Sequence, residues 1–366
     1  MRDSWRLVCL RKAEPLMAQT FYEAVALAVD RGLSANSLVL CQPSSPYVCI
    51  GFHQDLDKEV DLGYCRRLGL PIIRRSQGGG ATYLNADQIF YQLVAHRRDR
   101  VIPVRVEELF ETVLAAPVRV YRELGLQAEF KPLNDIVVGG RKISGNGAGL
   151  IGSAVVLVGN IILDLDYDSM SRVLKVPDEK FRDKMAKSMV DWVTSLRKEL
   201  GWVPDAEKIY HMLMRAFEDV LNVDFTVEKP SEEENLIWER EVRPRHLSTT
   251  WLGMSTAGGS DSEGRAVKVA GDVHVIEVDH KARKLVRVRA ELVGDRIRDI
   301  SVTGDFFLIP EDAILILQKK LVGAVLNEDD LDRRVRSFFA EGDVQMPGIS
   351  PEDLVDALMK LRSRLP

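Results

Sequence analysis

Lys131-Pro132-Leu133-Asn134-Asp135-Ile136-Val137-Val138-Gly139-Gly140-Arg141-Lys142-Ile143-Ser144-Gly145 is the stretch that decides how the rest of the chain is read. Two short strand-like runs, 136–138 and 141–143, flank Gly139-Gly140, and paired glycines take up the positive φ angles of a two-residue hairpin turn without steric cost. The turn folds an amide, a carboxylate, a lysine and a hydroxyl onto adjacent strands, so their side chains can converge. Asp135 offers the hard oxygen that magnesium prefers, leaving most of the ion's waters for phosphate. Lys142 offers a mobile point charge for an oxyanion or an α-phosphate. A solvent-facing hairpin would carry the same residue types, so the chemistry needs its surroundings.

Upstream, the spacing predicts a strand over 5–10 and a helix opened by Pro15, with Met17, Phe21, Val25 and Ala28 on one face. Strands follow over 37–42 and 47–51, divided by two prolines, then a helix over 59–68 ended by Gly69 and Pro71. Ile72 and Ile73 lead as a strand into Arg74-Arg75-Ser76-Gln77-Gly78-Gly79-Gly80, and strands return over 81–84 and 88–95. An amphipathic helix spans 104–124, and 128–131 starts the strand group that holds the hairpin. Downstream, strands are expected over 154–158 and 161–166 on either side of Gly159. Helical periodicity runs over 168–221, with one more helix over 232–242.

Residues 251–264 are rich in Gly, Ser and Thr, a composition that buries no core and acts as a flexible linker. They divide a large domain, 1–250, from a small α+β domain, 265–366, with strands over 273–278, 284–290 and 295–301 and helices over 312–321, 329–340 and 351–364.

Lys plus Arg (50) nearly balances Asp plus Glu (55), so the formal net charge of −5 gives no global pull toward nucleic acid or an anionic membrane. No apolar run has signal-peptide or membrane-spanning length. Cys9, Cys41, Cys49 and Cys65 form no C-x-x-C pair, and the six histidines show no metal spacing; buried thiols in a reducing cytoplasm are expected. His53, at a strand end, is the histidine nearest to the expected pocket.

Two further segments bear on chemistry. Three glycines behind a strand let backbone N–H groups approach an anion or a slim ligand, and Arg74 and Arg75 add charge. The run matches neither Gly-x-Gly-x-x-Gly nor Gly-Lys-Ser/Thr phosphate motifs. Leu174-Lys175-Val176-Pro177-Asp178-Glu179-Lys180-Phe181-Arg182-Asp183-Lys184 is a proline-broken basic stretch that reads either as a lid over a nucleotide or as a solvated helix start.

In this order the three segments, with Val48-Cys49-Ile50-Gly51-Phe52-His53-Gln54 before them, resemble the lipoate-protein ligase A family of the biotin and lipoate ligase superfamily. The resemblance covers about 13–225 and returns at Ile300-Ser301-Val302-Thr303-Gly304-Asp305-Phe306-Phe307, which is similar to the family's accessory domain. It implies an α+β fold, a mixed, largely antiparallel sheet flanked by helices plus the small accessory domain. It also implies an ATP-dependent enzyme that activates lipoate or octanoate as the adenylate and passes the acyl group to a carrier lysine.

By the same resemblance, Arg75, Ser76, Gly78, Gly79, Gly80, Ala81, Asn134 and Gly145 would bind the acyl substrate. Thr82, Tyr83, Asp135, Lys142, Val176, Lys180 and Lys184 would bind the nucleotide, with Asp135 on Mg2+ and Lys142 as the catalytic residue. The implied carriers are a 2-oxoacid dehydrogenase lipoyl domain, the glycine-cleavage H protein or a lipoate-binding protein; a cytoplasmic monomer that binds neither nucleic acid nor membrane is expected. Gln77, Leu84-Asn85 and Val158-Gly159-Asn160 depart from the family pattern. An octanoyl or lipoyl transferase on the same fold would need a cysteine after the lysine motif, and no cysteine follows Cys65. A binding module without turnover would need neither Asp135 nor Lys142.

Overall fold

A computed structural model describes residues 2–176, 179–254, 267–270, 273–342 and 344–365. Most of the expected linker, 255–264, lies outside the described residues. The chain forms two compact units: residues 1–50, 59–75 and 81–252 make the first, while Gly51–Lys58, Ser76–Gly80 and Gly253–Pro366 make the second.

Among the described residues the first unit holds eleven strands: β1 (Asp3–Ala13), β2 (Ser37–Pro43), β3 (Tyr47–Ile50), β4 (Ile72–Arg74), β5 (Thr82–Leu84), β6 (Gln88–His96), β7 (Ala128–Lys131), β8 (Asp135–Val138), β9 (Arg141–Ile151), β10 (Ala154–Ile162) and β11 (Val223–Glu228). Eight form one sheet in the order β11-β1-β2-β6-β10-β9-β8-β7, and β4-β3-β5 form a small second one. In the large sheet β1 runs parallel to β11 and to β2, while the other pairs are antiparallel. This is the mixed, largely antiparallel sheet expected.

One face of the large sheet is covered by the Pro15–Asp30 helix, which proline starts at a position where no N–H is needed. Phe21, Tyr22, Val25 and Val29 of that helix pack with Val8, Val39, Val94 and Val156. On the other face Tyr91 meets Phe217 of the Ala206–Leu221 helix at a centroid distance of 5.7 Å. Tyr121 of the Val106–Glu123 helix donates to the Ile143 carbonyl at 2.8 Å.

Several elements differ from the sequence reading. The strand expected to stop before Gly159 is continuous through it. β9 runs eight residues beyond Ile143, through a glycine-rich stretch. Among the described residues the helical region over 168–221 holds four helices, Tyr167–Val173, Glu179–Trp192, Leu196–Leu200 and Ala206–Leu221. The helix over 232–242 changes to a wider π-type turn at Trp238–Val242. β11 was not anticipated.

In the second unit the strands Val273–Lys281 and Leu285–Val293 alternate buried with partly or fully exposed residues, as a sheet with one packed face must, while Arg296–Gly304, paired across a register shift, is less regular. The helices Ala313–Leu321, Glu328–Phe339 and Pro351–Arg362 close a core that includes Val288, Phe306, Leu317, Val335 and Leu358.

Candidate functional site

Gly139 and Gly140 have φ of +55° and +78°, so the hairpin turns where the sequence requires. The fold brings Asp135 and Lys142 together as an ion pair of 2.6 Å, with about a third of each side chain exposed. Lys142 folds back over Gly145, where an added Cβ would lie 3.3 Å from the amine. The missing side chain at Gly145 leaves room for the ammonium group beside its backbone.

Behind this pair lies a buried polar layer. Asn134 donates to the Asn146 carbonyl and accepts from the Asn146 side-chain amide at 2.8 Å, which fixes both amides. Tyr91 donates to the Asn146 side-chain oxygen and lies 3.1 Å from the Ser144 hydroxyl. Burial pushes the Tyr91 phenol well above its ordinary value, so it acts as a neutral group. Asn160 accepts from the Gly145 N–H at 2.9 Å and donates to Gln88 at 2.7 Å. The sequence does not single out Tyr91, Asn146 or Gln88, and marks Asn160 only as a departure from the family pattern; the Gly-Asn pairs at 145–146 and 159–160 are the available signal.

Lys175, within the 174–184 stretch, and Thr194, after the helix that follows it, are both tied to this unit. Lys175 donates its N–H to the Glu59 carbonyl at 3.0 Å, and Thr194 donates to the Lys142 carbonyl at 2.8 Å. Glu199 accepts both contacts from Arg141, at 2.7 and 2.9 Å, beside the Leu196–Leu200 helix start. Val176 is described and partly exposed, residues 177–178 lie outside the described residues, and Lys180 and Lys184 fall on the Glu179–Trp192 helix with their side chains likewise outside the description.

Arg75 reaches the Cys49 sulfur at 3.5 Å and takes a backbone bond to Ile50 of 3.0 Å. The fully buried Arg74 donates to the Leu252 carbonyl at 2.7 and 3.1 Å, and the Trp251 indole returns a bond to the Arg74 carbonyl at 2.9 Å. Thr82 and Tyr83 lie on β5 opposite Cys49 and Val48, and Ala81 precedes them. Arg75 and residues 81–83 therefore share the first unit with the hairpin.

Ser76 and the three glycines belong to the second unit. There Gly79 donates to the Phe306 carbonyl at 3.3 Å, and a Cβ on Gly78 would collide with that same oxygen. The Phe306 ring stacks on His53 at 4.7 Å. Gly78 and Gly79 thus serve a close backbone approach, and His53 is a packed residue whose ring is buried.

All four cysteines are free, and burial pushes each thiol up. At Cys49 the nearby Arg75 pulls the other way without reversing the shift. Among the described residues no cluster of three or more His, Cys, Asp or Glu side chains could hold a metal by itself. Asp135 alone suits an ion that arrives with a nucleotide, since magnesium is commonly held by one or two carboxylates plus phosphates. Among the described residues no helix is long and apolar enough to cross a membrane.

The chain is similar to several known proteins. The lipoate-protein ligase A subunit 1 of Thermoplasma acidophilum is 32% identical over 212 residues, covering 55% of this chain and 78% of that protein. The octanoyltransferase LipM of Moorella thermoacetica is 26% identical over 269 residues, covering 68% of this chain and 98% of that protein. Among solved structures, the bi-partite lipoate protein ligase described with its E2 lipoyl domain from T. acidophilum superposes with a TM-score of 0.61 at 27% identity, covering 69% of this chain and 97% of that one. P. falciparum LipL1 in complex with lipoate shares the fold over 97% of this chain and 99% of its own, with a TM-score of 0.70 at 14% identity. The model of the lipoyl protein ligase A/B catalytic domain matches residues 14–218, and the chain belongs to that family.

Proposed function

We propose that this protein is an ATP-dependent lipoate-protein ligase, acting in the cytoplasm on lipoate or octanoate and on a lysine of a lipoyl carrier protein. The observation that carries the reading is the Asp135–Lys142 pair, a carboxylate and an amine 2.6 Å apart over the bare backbone of Gly145. Binding an apolar chain requires neither charge. Joining two anions, a carboxylate and a triphosphate, requires both.

In the first step a carboxylate oxygen of the acid attacks the α-phosphorus of ATP, the bond to the bridging oxygen breaks, and pyrophosphate leaves. Lys142 offsets the charge that accumulates on the α-phosphate and acyl oxygens. Asp135 holds Lys142 in place and offers an oxygen to the nucleotide's magnesium, which would supply Lewis-acid neutralisation of the phosphates when bound. In the second step the carrier amine attacks the acyl carbonyl, AMP departs with the former carboxylate oxygen, and the amine gives up a proton. Lys142 stabilises the carbonyl oxyanion here as well. Asn134, fixed by Asn146, sets the backbone from which Asp135 projects.

The resemblance to LipM proteins supports a second reading, acyl transfer between carriers through a cysteine thioester. The thiols favour ligation, because a transferase needs an activated thiolate and all four are shifted away from ionisation. Alkylating the native protein with iodoacetamide is therefore expected to change activity less than about twofold, and inactivation that tracks modification of one cysteine would favour transfer.

The deciding experiment incubates the protein with ATP, magnesium and either acid, together with a lipoyl domain, an H protein or a lipoate-binding protein. Pyrophosphate release and a carrier mass raised by one acyl group are expected. Acyl transfer from an octanoyl-carrier thioester with no pyrophosphate would overturn the ligase reading. The T. acidophilum ligase described with its E2 lipoyl domain makes a lipoyl domain the first carrier to try.

A further inference from the structure

Alternation along β9 puts Gly145, Gly147 and Gly149 on one face of the sheet. Their neighbours across β10 and β6 carry that face under the Pro15–Asp30 helix, since Val156 and Val94, in the Gly149 row, pack against it. In the Gly147 row stand Val158 and then Gln92. Val158, though in the middle of an eight-stranded sheet, keeps part of its surface open. The outer end of the stripe is marked by the Lys142 amine over Gly145.

Gln92 marks the inner part. It is 2% exposed, its amide nitrogen donates to the Ala18 carbonyl of the covering helix at 2.7 Å, and its amide oxygen has no hydrogen-bond partner. Turning the amide round would set two oxygens against each other, so the orphan is the acceptor. A buried acceptor left unsatisfied is costly, and a donor brought to it removes that cost. At the usual strand rise, Gly147 lies about 7 Å and Gly149 about 13 Å beyond Gly145. Gln92 stands in the Gly147 row but two strands across, roughly 12 Å from Gly145, so an eight-carbon acid with its carboxyl at Lys142 that crosses the sheet diagonally past the partly open Val158 ends within reach of the Gln92 side chain.

The geometry points to Gln92 as a specificity-determining residue that reads the far end of the acyl chain, an inference that rests on the ligase reading. Its free oxygen accepts a hydrogen bond. The terminal methyl of octanoate has none to give, and neither has the cyclic disulfide of lipoate. The reduced dithiol carries two S–H donors there. Gln92 therefore selects the dithiol form of the acid over the saturated one.

The test compares kcat/KM for dihydrolipoate, kept reduced by a phosphine, with that for lipoate and octanoate. The wild-type protein is expected to favour dihydrolipoate over octanoate at least fivefold. Gln92→Leu is expected to bring that ratio close to one through loss on the dithiol side, and Gln92→Met, which matches the length, takes its place if the leucine variant melts early. An unchanged ratio in the variant, or an equal loss with every acid, would overturn the proposal. Should the wild-type protein turn over none of the acids with ATP, the ligase reading fails separately. Calorimetric binding of dihydrolipoate and octanoate without ATP then still decides whether Gln92 discriminates between them, by the same fivefold criterion.

Discussion

Lys142→Ala is expected to lower pyrophosphate release to about a hundredth of the wild-type rate or less while leaving the protein folded. A preorganised cation at a developing oxyanion is worth ~3 kcal/mol, which is about two orders of magnitude in rate. Its ion pair with Asp135 is about one-third exposed on each side, so its loss costs the fold at most about 1 kcal/mol. The separation between a large kinetic effect and a small thermal one is the signature sought. Pyrophosphate release, carrier mass and a thermal melt of the same sample read all three quantities. Retention of more than a tenth of the activity would remove Lys142 from the mechanism.

Gly159→Ala is expected to have the largest effect on stability. An added Cβ would overlap the Asn146 side-chain oxygen and lie 2.5 Å from two atoms of the Tyr91 ring. Tyr91 is fully buried and cannot move aside. Overpacking of this kind costs about 1–3 kcal/mol, or roughly 3–10 °C in Tm for a unit of this size. Because Asn146 also clamps Asn134 next to Asp135, activity at a temperature well below the melt is expected to fall as well. Differential scanning calorimetry and a low-temperature activity assay check the two parts. An unchanged Tm would mean that the polar layer yields more easily than its packing implies.

The hairpin was legible because Gly139-Gly140 between strand-forming runs has one economical use, a tight turn with positive φ. The Pro15–Asp30 helix and the three long strands of the second unit were legible from spacing alone. β9 beyond Ile143 was not, since Gly145-Asn146-Gly147-Ala148-Gly149 has little intrinsic preference for a strand. Pairing with β10, and with β8 at Gly145, supplies what local propensity lacks. Gly159 read as a break for the same reason, whereas Tyr91 and Asn146 occupy the volume its side chain would need. β11 escaped because its partner among the described residues, β1, lies more than two hundred residues away in sequence and most of its residues are exposed. Asp135 and Lys142 could be paired from the hairpin; the layer that Tyr91, Gln88 and Asn160 build behind them could not, because those residues come from β6 and β10.

The border formed by β1 and β11 has a practical meaning for anyone wishing to shorten this enzyme. Trimming to the family-matched block 14–218 would discard both strands and leave β2 with a raw flank of unsatisfied peptide groups, an invitation to aggregate. It would also strip away Arg6 and Glu234, whose paired charges are shielded from water at that border. A portable version of the first unit has to start before Asp3 and extend past Glu234, because opposite ends of its sequence seal the same seam.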